Sequence, residues 1–365
     1  MIDLRANLLK VEAHNHTKQP NLFIEPEELD ERVEPVTEKD ALSFYVFHCL
    51  FLNIRIDNHL YSIVTTKDLD GNKRLVILSD SQPPRVEPTF TLEKFPVRYK
   101  DVKNPRLNTG EETSLLLVPA SHKETKLFTF LPEGIGVKFD NGIEEDQDLY
   151  TGYKEFIVVR WGVLRDVFHD LVSCYTLASW VRELFPSVAF LAATGKTGTG
   201  KSVLIMILEA LGFLAIDLAS ITGPAIAYID EFYHPFLLHD ECQSLNNYRN
   251  PDVAEKVAIL NSRYKHRAKR VKMRDATGHE PRTVEVQRLY GPTALAGTEL
   301  PAALGILDRI LHLPSIYSNP KKVPDDIESE REAAILRCRA LAFRSRHLFD
   351  DFAAHRKDFD EILDG

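Results

Sequence analysis

Cysteine is scarce in this chain: Cys49, Cys174, Cys242 and Cys338 are the four in 365 residues, and none forms a CxxC pair. That spacing excludes a zinc ribbon and a disulfide framework, and it reads as reduced thiols. Long apolar runs are missing too. The longest uncharged apolar-rich stretch, Ala41 to Ile54, contains His48 and Asn53 and falls short of the roughly 18 residues a membrane helix needs. The opening residues, MIDLRANLLKVEAHNH, lack the basic-then-apolar order of a secretory signal, so no membrane contact and a cytoplasmic location are expected. Excess positive charge is also lacking. With 45 Lys+Arg against 54 Asp+Glu the net charge is −9, so any nucleic-acid contact has to be a local patch. Glycine (17) and proline (20) are too few for a fibrous or low-complexity chain.

What remains is an ordinary globular composition, long enough for more than one domain. Glu25 to Asp40 carries eight acids, two bases and two prolines, which reads as a solvated linker. From Ala41 to about Lys138 strands dominate. HLYSIVTT and KRLVILSD flank Asp70-Gly71-Asn72, a hairpin signal, and FTLEKFPVRY and TSLLLVPA follow at strand lengths. Asp140 to Asp148, with five acids and Gly142, reads as an interdomain loop. From Leu164 to Leu184 the apolar residues recur every three or four positions, predicting one long amphipathic helix. A short strand, Ser187 to Thr194, comes next. Beyond it the strand-like runs PFLLHDE, PTALAGT and RILHLPS alternate with helical runs over Ser202–Leu211, Ala225–Phe232, Val253–Arg263 and Glu328–Leu348. Strands separated by helices imply an α/β fold with a parallel sheet flanked by helices. The division expected is a β-rich N-terminal domain over 1–150, a core over 151–320 and a C-terminal helical lid or extension over 321–365.

Gly195-Lys196-Thr197-Gly198-Thr199-Gly200-Lys201-Ser202 fits G-x-x-x-x-G-K-[ST] between an apolar strand and an amphipathic helix. Glycines let successive N–H groups face a phosphate, Lys201 reaches the β and γ oxygens, and the Ser202 hydroxyl ligates magnesium. ATP and Mg2+ are the ligands this implies. The second acidic element is the apolar run Phe236 to His239 ending in Asp240-Glu241. It places Asp240 near the magnesium shell and lets Glu241 orient and deprotonate an attacking water. His239 reads as a satisfied histidine at a strand end. His14 and His16, lacking a third ligand, read as surface residues rather than a metal pair.

From Lys256 to Arg274 the chain carries eight Lys/Arg and no acid, against the acidic whole. Ala268–Arg274 and Val284–Tyr290 are placed to pair across the turn-rich Asp275–Arg282. Such a β-hairpin would present Lys265, Arg267, Lys269, Arg270, Lys272 and Arg274 to the backbone phosphates of single-stranded DNA, without base readout. The alternative is a solvated basic face. Tyr264 could stack on a base or pack half-buried.

The ordered set GKTGTGKS, ITGPAIAYIDEF, PFLLHDECQSL, VAILNSRYKHRAKRVKMR and YGPTALAGTELPAALGILDRILHLP resembles the ATPase module of superfamily 3-like helicases. These are the AAA+-related group found in primase-helicase replication proteins of plasmids, phages and archaeal elements. The resemblance runs from about Val163 to Leu348 and implies an AAA+-like P-loop NTPase that works as a homo-oligomeric, hexameric ring. By motif position Thr298 would be the polar residue ending the sensor strand, where that family usually carries Asn. Arg309 would act in the neighbouring subunit's site. The N-terminal region shows no primase or origin-binding motif. The function implied is a Mg-ATP-hydrolysing helicase-like motor on single-stranded DNA. The alternatives are an AAA+-like protein-remodelling ATPase, a regulatory oligomer locked by ATP, and a small-molecule kinase.

Overall fold

The computed structural model describes residues 34–36, 44–56, 59–67, 72–96, 112–120, 146–163, 165–217, 221–247, 249–265, 269–274, 283–314 and 324–363. The N-terminal strands are β1 (Glu34–Val36), β2 (Phe44–Cys49), β3 (Phe51–Ile56), β4 (His59–Lys67), β5 (Lys73–Ser79), β6 (Arg85–Glu87), β7 (Phe90–Pro96) and β8 (Glu112–Pro119). They form two four-stranded sheets, ordered β1-β2-β8-β7 and β3-β4-β5-β6, antiparallel except where β2 runs parallel to β8. The β4–β5 pair is the expected hairpin. Glu34–Val36, within the stretch read as linker, is a strand after all, because it finds β2 as a partner. The buried hydroxyl of Thr65 ties the two sheets together by donating to the Cys49 carbonyl and accepting the Ala120 N–H at 3.0 Å.

Alternation along β3 to β5 gives the second sheet two buried faces. Leu52, Ile54, Ile63, Leu75 and Ile77 lie on one. Phe51, Leu60, Val64, Val76 and Leu78 lie on the other, within the hydrophobic core of the rest of the molecule. Phe51 meets Phe213 edge to face at 5.2 Å between centroids.

That core is built from α1 (Asp146–Arg160), α2 (Asp166–Trp180), β9 (Phe190–Thr194), α3 (Lys201–Leu211), β10 (Ala215–Asp217), α4 (Gly223–Tyr233), β11 (Phe236–His239), α5 (Pro251–Ser262), the hairpin strands β12 (Lys269–Arg274) and β13 (Thr283–Arg288), β14 (Thr293–Gly297), α6 (Leu304–Leu307), β15 (Ile310–Pro314) and α7 (Ile327–Leu363). The central sheet is five-stranded and wholly parallel, in the order β10-β11-β14-β9-β15. Every residue of β11 and β14 is buried, the mark of parallel strands covered on both faces. The chain is therefore α/β with helices flanking a parallel sheet, preceded by a β-rich region. Among the described residues no helix is long and apolar enough to cross a membrane.

Two helical expectations need correction. The acidic run read as a loop opens α1: Asp146 and Asp148 occupy its first turn, where the helix dipole favours negative charge. Leu149, Tyr153, Phe156, Ile157 and Arg160 then line its buried face. The helix expected through to Leu184 ends at Trp180 and continues as a 3-10 turn, Arg182–Leu184. Two carbonyls at the break accept side-chain donors from other elements. The Trp180 carbonyl accepts from the Arg344 guanidinium, and the Arg182 carbonyl accepts from the Tyr290 hydroxyl at 2.8 Å.

At this break lies a buried polar node. Arg344 of α7 donates to Glu183 Oε2 at 2.8 Å and Oε1 at 2.9 Å, and reaches Ser62 Oγ at 3.2 Å and Asn53 Oδ1 at 3.3 Å in the N-terminal sheet. Asn53 Nδ2 in turn donates to Glu183 Oε1 at 3.1 Å. Burial by itself would raise the Glu183 pKa, but the charges of Arg344 and Arg182 override it and hold the carboxyl well below its ordinary range.

Removing one partner of such a pair strands the other charge. Glu183→Gln is expected to lower stability at pH 7 by about 3–5 kcal/mol in denaturant titration. Because the folded-state pKa is depressed, Glu183's contribution is present above the reference value of 4.5 and is lost as pH falls below it. The gap between wild type and variant should close below pH 4.5.

Candidate functional site

The carboxyl ends of β9, β14 and β11 open onto one cleft of about 410 Å³. Register sets this up. Thr194 lies level with Gly297, and His239 level with Leu295, so the three chains leave the sheet side by side, at the place where open α/β sheets bind ligands. Its lining includes Thr197, Gly198, Gly200, Lys201, Ser202, Asp240, Glu241, Gln243 and Thr298. Residues far apart in the sequence, the glycine loop, the acid pair and Thr298, are thus brought together.

The loop between β9 and α3 turns through left-handed backbone at Gly198 (φ +80) and Gly200 (φ +81). An L-residue there would cost ~1–2 kcal/mol, so the backbone conformation and not the space beside Cα, where a Cβ on Gly198 would meet nothing within 4 Å, calls for glycine. Thr199 Oγ1 and Lys201 Nζ both donate to the Lys196 carbonyl at 2.7 Å, which folds the lysine across the mouth of its own loop. Gly200 is the N-cap of α3, so the helix's unpaired N–H groups and positive dipole end face the cleft.

Opposite, Ser202 Oγ donates to Asp240 Oδ2 at 2.6 Å. The other Asp240 oxygen accepts the Glu241 N–H at 2.9 Å. Glu241 itself is left-handed, φ +58, a conformation that costs a non-glycine residue about 1–3 kcal/mol. It is held there because its carbonyl accepts the Ser244 N–H at 2.9 Å and opens a 3-10 turn, Cys242–Asn246. His239 hydrogen-bonds Ser244 Oγ at 3.3 Å, and burial followed by the charge of Lys256 holds it below the usual histidine range.

The sequence did not single out the residues that tie this turn to the Thr298 segment. Gln243 Oε1 accepts the Thr298 N–H at 3.2 Å, and Asn246 Oδ1 accepts the Ala302 N–H at 2.6 Å. Burial, then Asp240, pushes the Cys242 thiol up to about 12, so it stays protonated and donates to the Glu299 carbonyl at 3.3 Å. The available signal was two amides spaced i, i+3 directly after the acid pair.

Arg309 does not line the cleft. Its guanidinium lies 4.6 Å over the Tyr264 ring and donates to the Asn261 carbonyl at 3.1 Å, against α5 of its own chain. Tyr264 therefore already stacks on a cation.

The basic segment forms the expected hairpin, β12 against β13, with Lys269 opposite Arg288 and Arg274 opposite Thr283. Lys265 is exposed and makes an isolated bridge to Ser187, and Val271 is 64% exposed. Arg267, the Asp275–Arg282 turn, His14 and His16 lie outside the described residues. Two bases counted in the run are not on offer to a polyanion as free charges. Arg263 is fully buried, 3.0 Å from Asp230, and spans to the Pro235 carbonyl at 2.6 Å. Arg270 is ion-paired with Glu255 of α5. The helical period of α5 carries Arg263 inward, while β12 brings Arg270 back over the same helix. Burial pushes Asp230 up to about 7 against the pull of Arg263.

Among the described residues there is no group of three or more His, Cys, Asp or Glu side chains placed to hold a metal ion. All four cysteines are free.

No family model matches this chain, and no curated protein sequence does. Solved structures of JCV helicase are similar to it at 10% identity. One, bound to an N-(thiazolopyridinylphenoxyphenyl)acetamide, covers 66% of this chain and 65% of its own at a TM-score of 0.29. A second covers 62% of each at 0.29, and an inhibitor-bound one covers 62% of each at 0.28. The chain spans less than two thirds of the length of these helicase structures.

Proposed function

We propose that the protein is a Mg-ATP hydrolase that assembles as a hexameric ring and couples hydrolysis to movement along single-stranded DNA, as a helicase-like replication protein of a mobile or archaeal element. The observation that carries the nucleotide-hydrolysing part of this reading is the 2.6 Å meeting of Ser202 Oγ and Asp240 Oδ2 beside the glycine loop and Glu241. Both are hard oxygen donors, a fit for Mg2+, which keeps much of its shell as water and phosphate oxygen. When bound there, Mg2+ supplies neutralisation of charge on the β and γ phosphate oxygens.

The chain's own groups do the rest. The N–H groups from Lys196 to Ser202 and the α3 N-terminus cradle the phosphates, while the Gly195 N–H is held by the Gly297 carbonyl at 3.2 Å and so starts the loop at the end of the sheet. Lys201 exchanges the Lys196 carbonyl for phosphate oxygen. The Glu241 carboxylate orients the attacking water and takes its proton, and Thr298 lines the same cleft. Arg309 is the group a neighbouring subunit would present to the γ-phosphate, giving up its contact with Asn261 and Tyr264. Core residues 151–320 carry this chemistry, with 1–150 and 321–365 as extensions joined through Arg344.

DNA is supported as the moved substrate by a basic strand on a chain of net charge −9. One observation favours a protein partner instead: Val271, on the same strand, is 64% exposed. Binding that falls steeply with salt and ignores base sequence separates the two.

Lys201→Ala should abolish nucleotide binding, while Glu241→Gln should bind ATP and fail to hydrolyse it. Equal loss of ATP affinity in both would contradict the division of roles.

Lys269→Ala with Lys272→Ala should weaken single-stranded DNA binding uniformly across sequences and flatten its salt dependence by about 0.7 units of slope per residue, with basal ATPase kept. An unchanged slope would return both residues to a solvated face.

Arg309→Ala should bind ATP and hydrolyse it ~10³-fold more slowly or worse. Mixed with Lys201→Ala under subunit exchange, it should regain activity, because some interfaces then combine an intact loop with an intact arginine. Full activity of Arg309→Ala alone would exclude the shared site.

A further inference from the structure

The ladder between β11 and β14 ends at His239 and Leu295, and beyond it the acid pair and Thr298 leave the sheet as separate chains. Their separation across the cleft is then set by whatever joins the turn Cys242–Asn246 to the segment after Gly297. Cys242 and Asn246 hold that segment further along, at Glu299, Leu300 and Ala302. Gln243 alone among these three also lines the cleft. Its side-chain carbonyl accepts the Thr298 N–H at 3.2 Å, directly beside the proposed reacting centre.

The approach is close enough to dictate a neighbour. A Cβ on Gly297 would lie 2.4 Å from Gln243 Oε1, 2.7 Å from Cys242 Sγ and 3.2 Å from the Cys242 backbone nitrogen. A side chain at 297 and the Gln243 contact are therefore mutually exclusive without movement of the turn. Glycine at this position leaves the amide carbonyl room to reach the next N–H.

We propose that Gln243 is a positioning residue for ATP hydrolysis, a role that rests on the function proposed above: its side-chain carbonyl sets the height of Thr298 in the cleft relative to Glu241. The turn that carries the base thus also holds the neighbouring wall at Thr298. A shift of either wall by an ångström spoils the alignment of water and phosphate without removing a phosphate contact, so the effect falls on turnover rather than on binding.

The test measures kcat, ATP affinity and melting temperature of the full chain with Mg2+ for three proteins: Gln243→Met, which keeps the shape and loses the acceptor, Gly297→Ala, which displaces it, and the double variant. The expected result is a ten- to hundredfold fall in kcat for each single variant, ATP affinity within about twofold of wild type, and a double variant no slower than the worse single one. Wild-type turnover with full kcat in Gln243→Met would overturn the proposal and leave the ATPase reading standing. So would an equal loss of affinity and turnover, which is the behaviour of a phosphate contact or a misfolded site, and so would strictly multiplicative losses in the double variant. A folded wild type that binds but never hydrolyses ATP would overturn the ATPase reading itself, and this role with it.

Discussion

Three stretches of chain converge on the Glu183 carboxylate: Asn53 from 130 residues before it, Arg344 from 161 residues after it, and the helix end on which it sits. Taking both charges out of water costs several kcal/mol per ion, and the arrangement persists because their mutual attraction and the hydrogen bonds between them offset that cost. Glu183 accepts three hydrogen bonds from Arg344 and Asn53. Arg344 and Arg182 lie over the rings of Phe51 and Phe213, which adds cation–π attraction in a desolvated setting. A shift of the N-terminal sheet by one residue would turn Asn53 and Ser62 to its other face and leave Arg344 underpaired. The node therefore sets the register of that sheet on the core, ends α2, and anchors α7.

The cleft depends on a different constraint, the strand order. Because β14 runs between β9 and β11, the glycine loop and the acid pair stand one strand apart with Thr298 between them. The hydrolysis proposed above needs such a gap between the loop and the acid pair. The ends are then trimmed by local strain and short bonds: left-handed backbone at Gly198, Gly200 and Glu241, and the Ser202–Asp240 contact.

The basic segment shows how charge in a sequence divides once it folds. Arg263 goes inward to Asp230, and Arg270 is held against α5 by Glu255. The first pair braces the end of α5 against α4 and the second ties β12 to α5, so bases that look like one run in the sequence are divided between packing and surface. Lys265 remains exposed at the hairpin's base.

The glycine loop was legible without a structure because its chemistry is contiguous: eight neighbouring residues supply the turn, the cation and the hydroxyl. Four of the five strands of the parallel sheet and the β12–β13 hairpin were legible for a similar reason, since apolar runs and turn residues leave short-range marks. The three-residue β10 (Ala215–Asp217) was missed because so short an edge strand carries no pattern of its own. Helix α1 was missed although its signals were local. Acids at a helix start resemble acids in a loop until the buried spacing from Leu149 to Arg160 is weighed with them. What only the tertiary structure decided are the pairings across distance: Glu183 with Arg344, Asp230 with Arg263, Gln243 with Thr298, and Arg309 on Tyr264. A charged or amide side chain carries no mark of its partner in sequence. Its partner is set by which strands lie side by side and by which polar groups the packed core leaves without water.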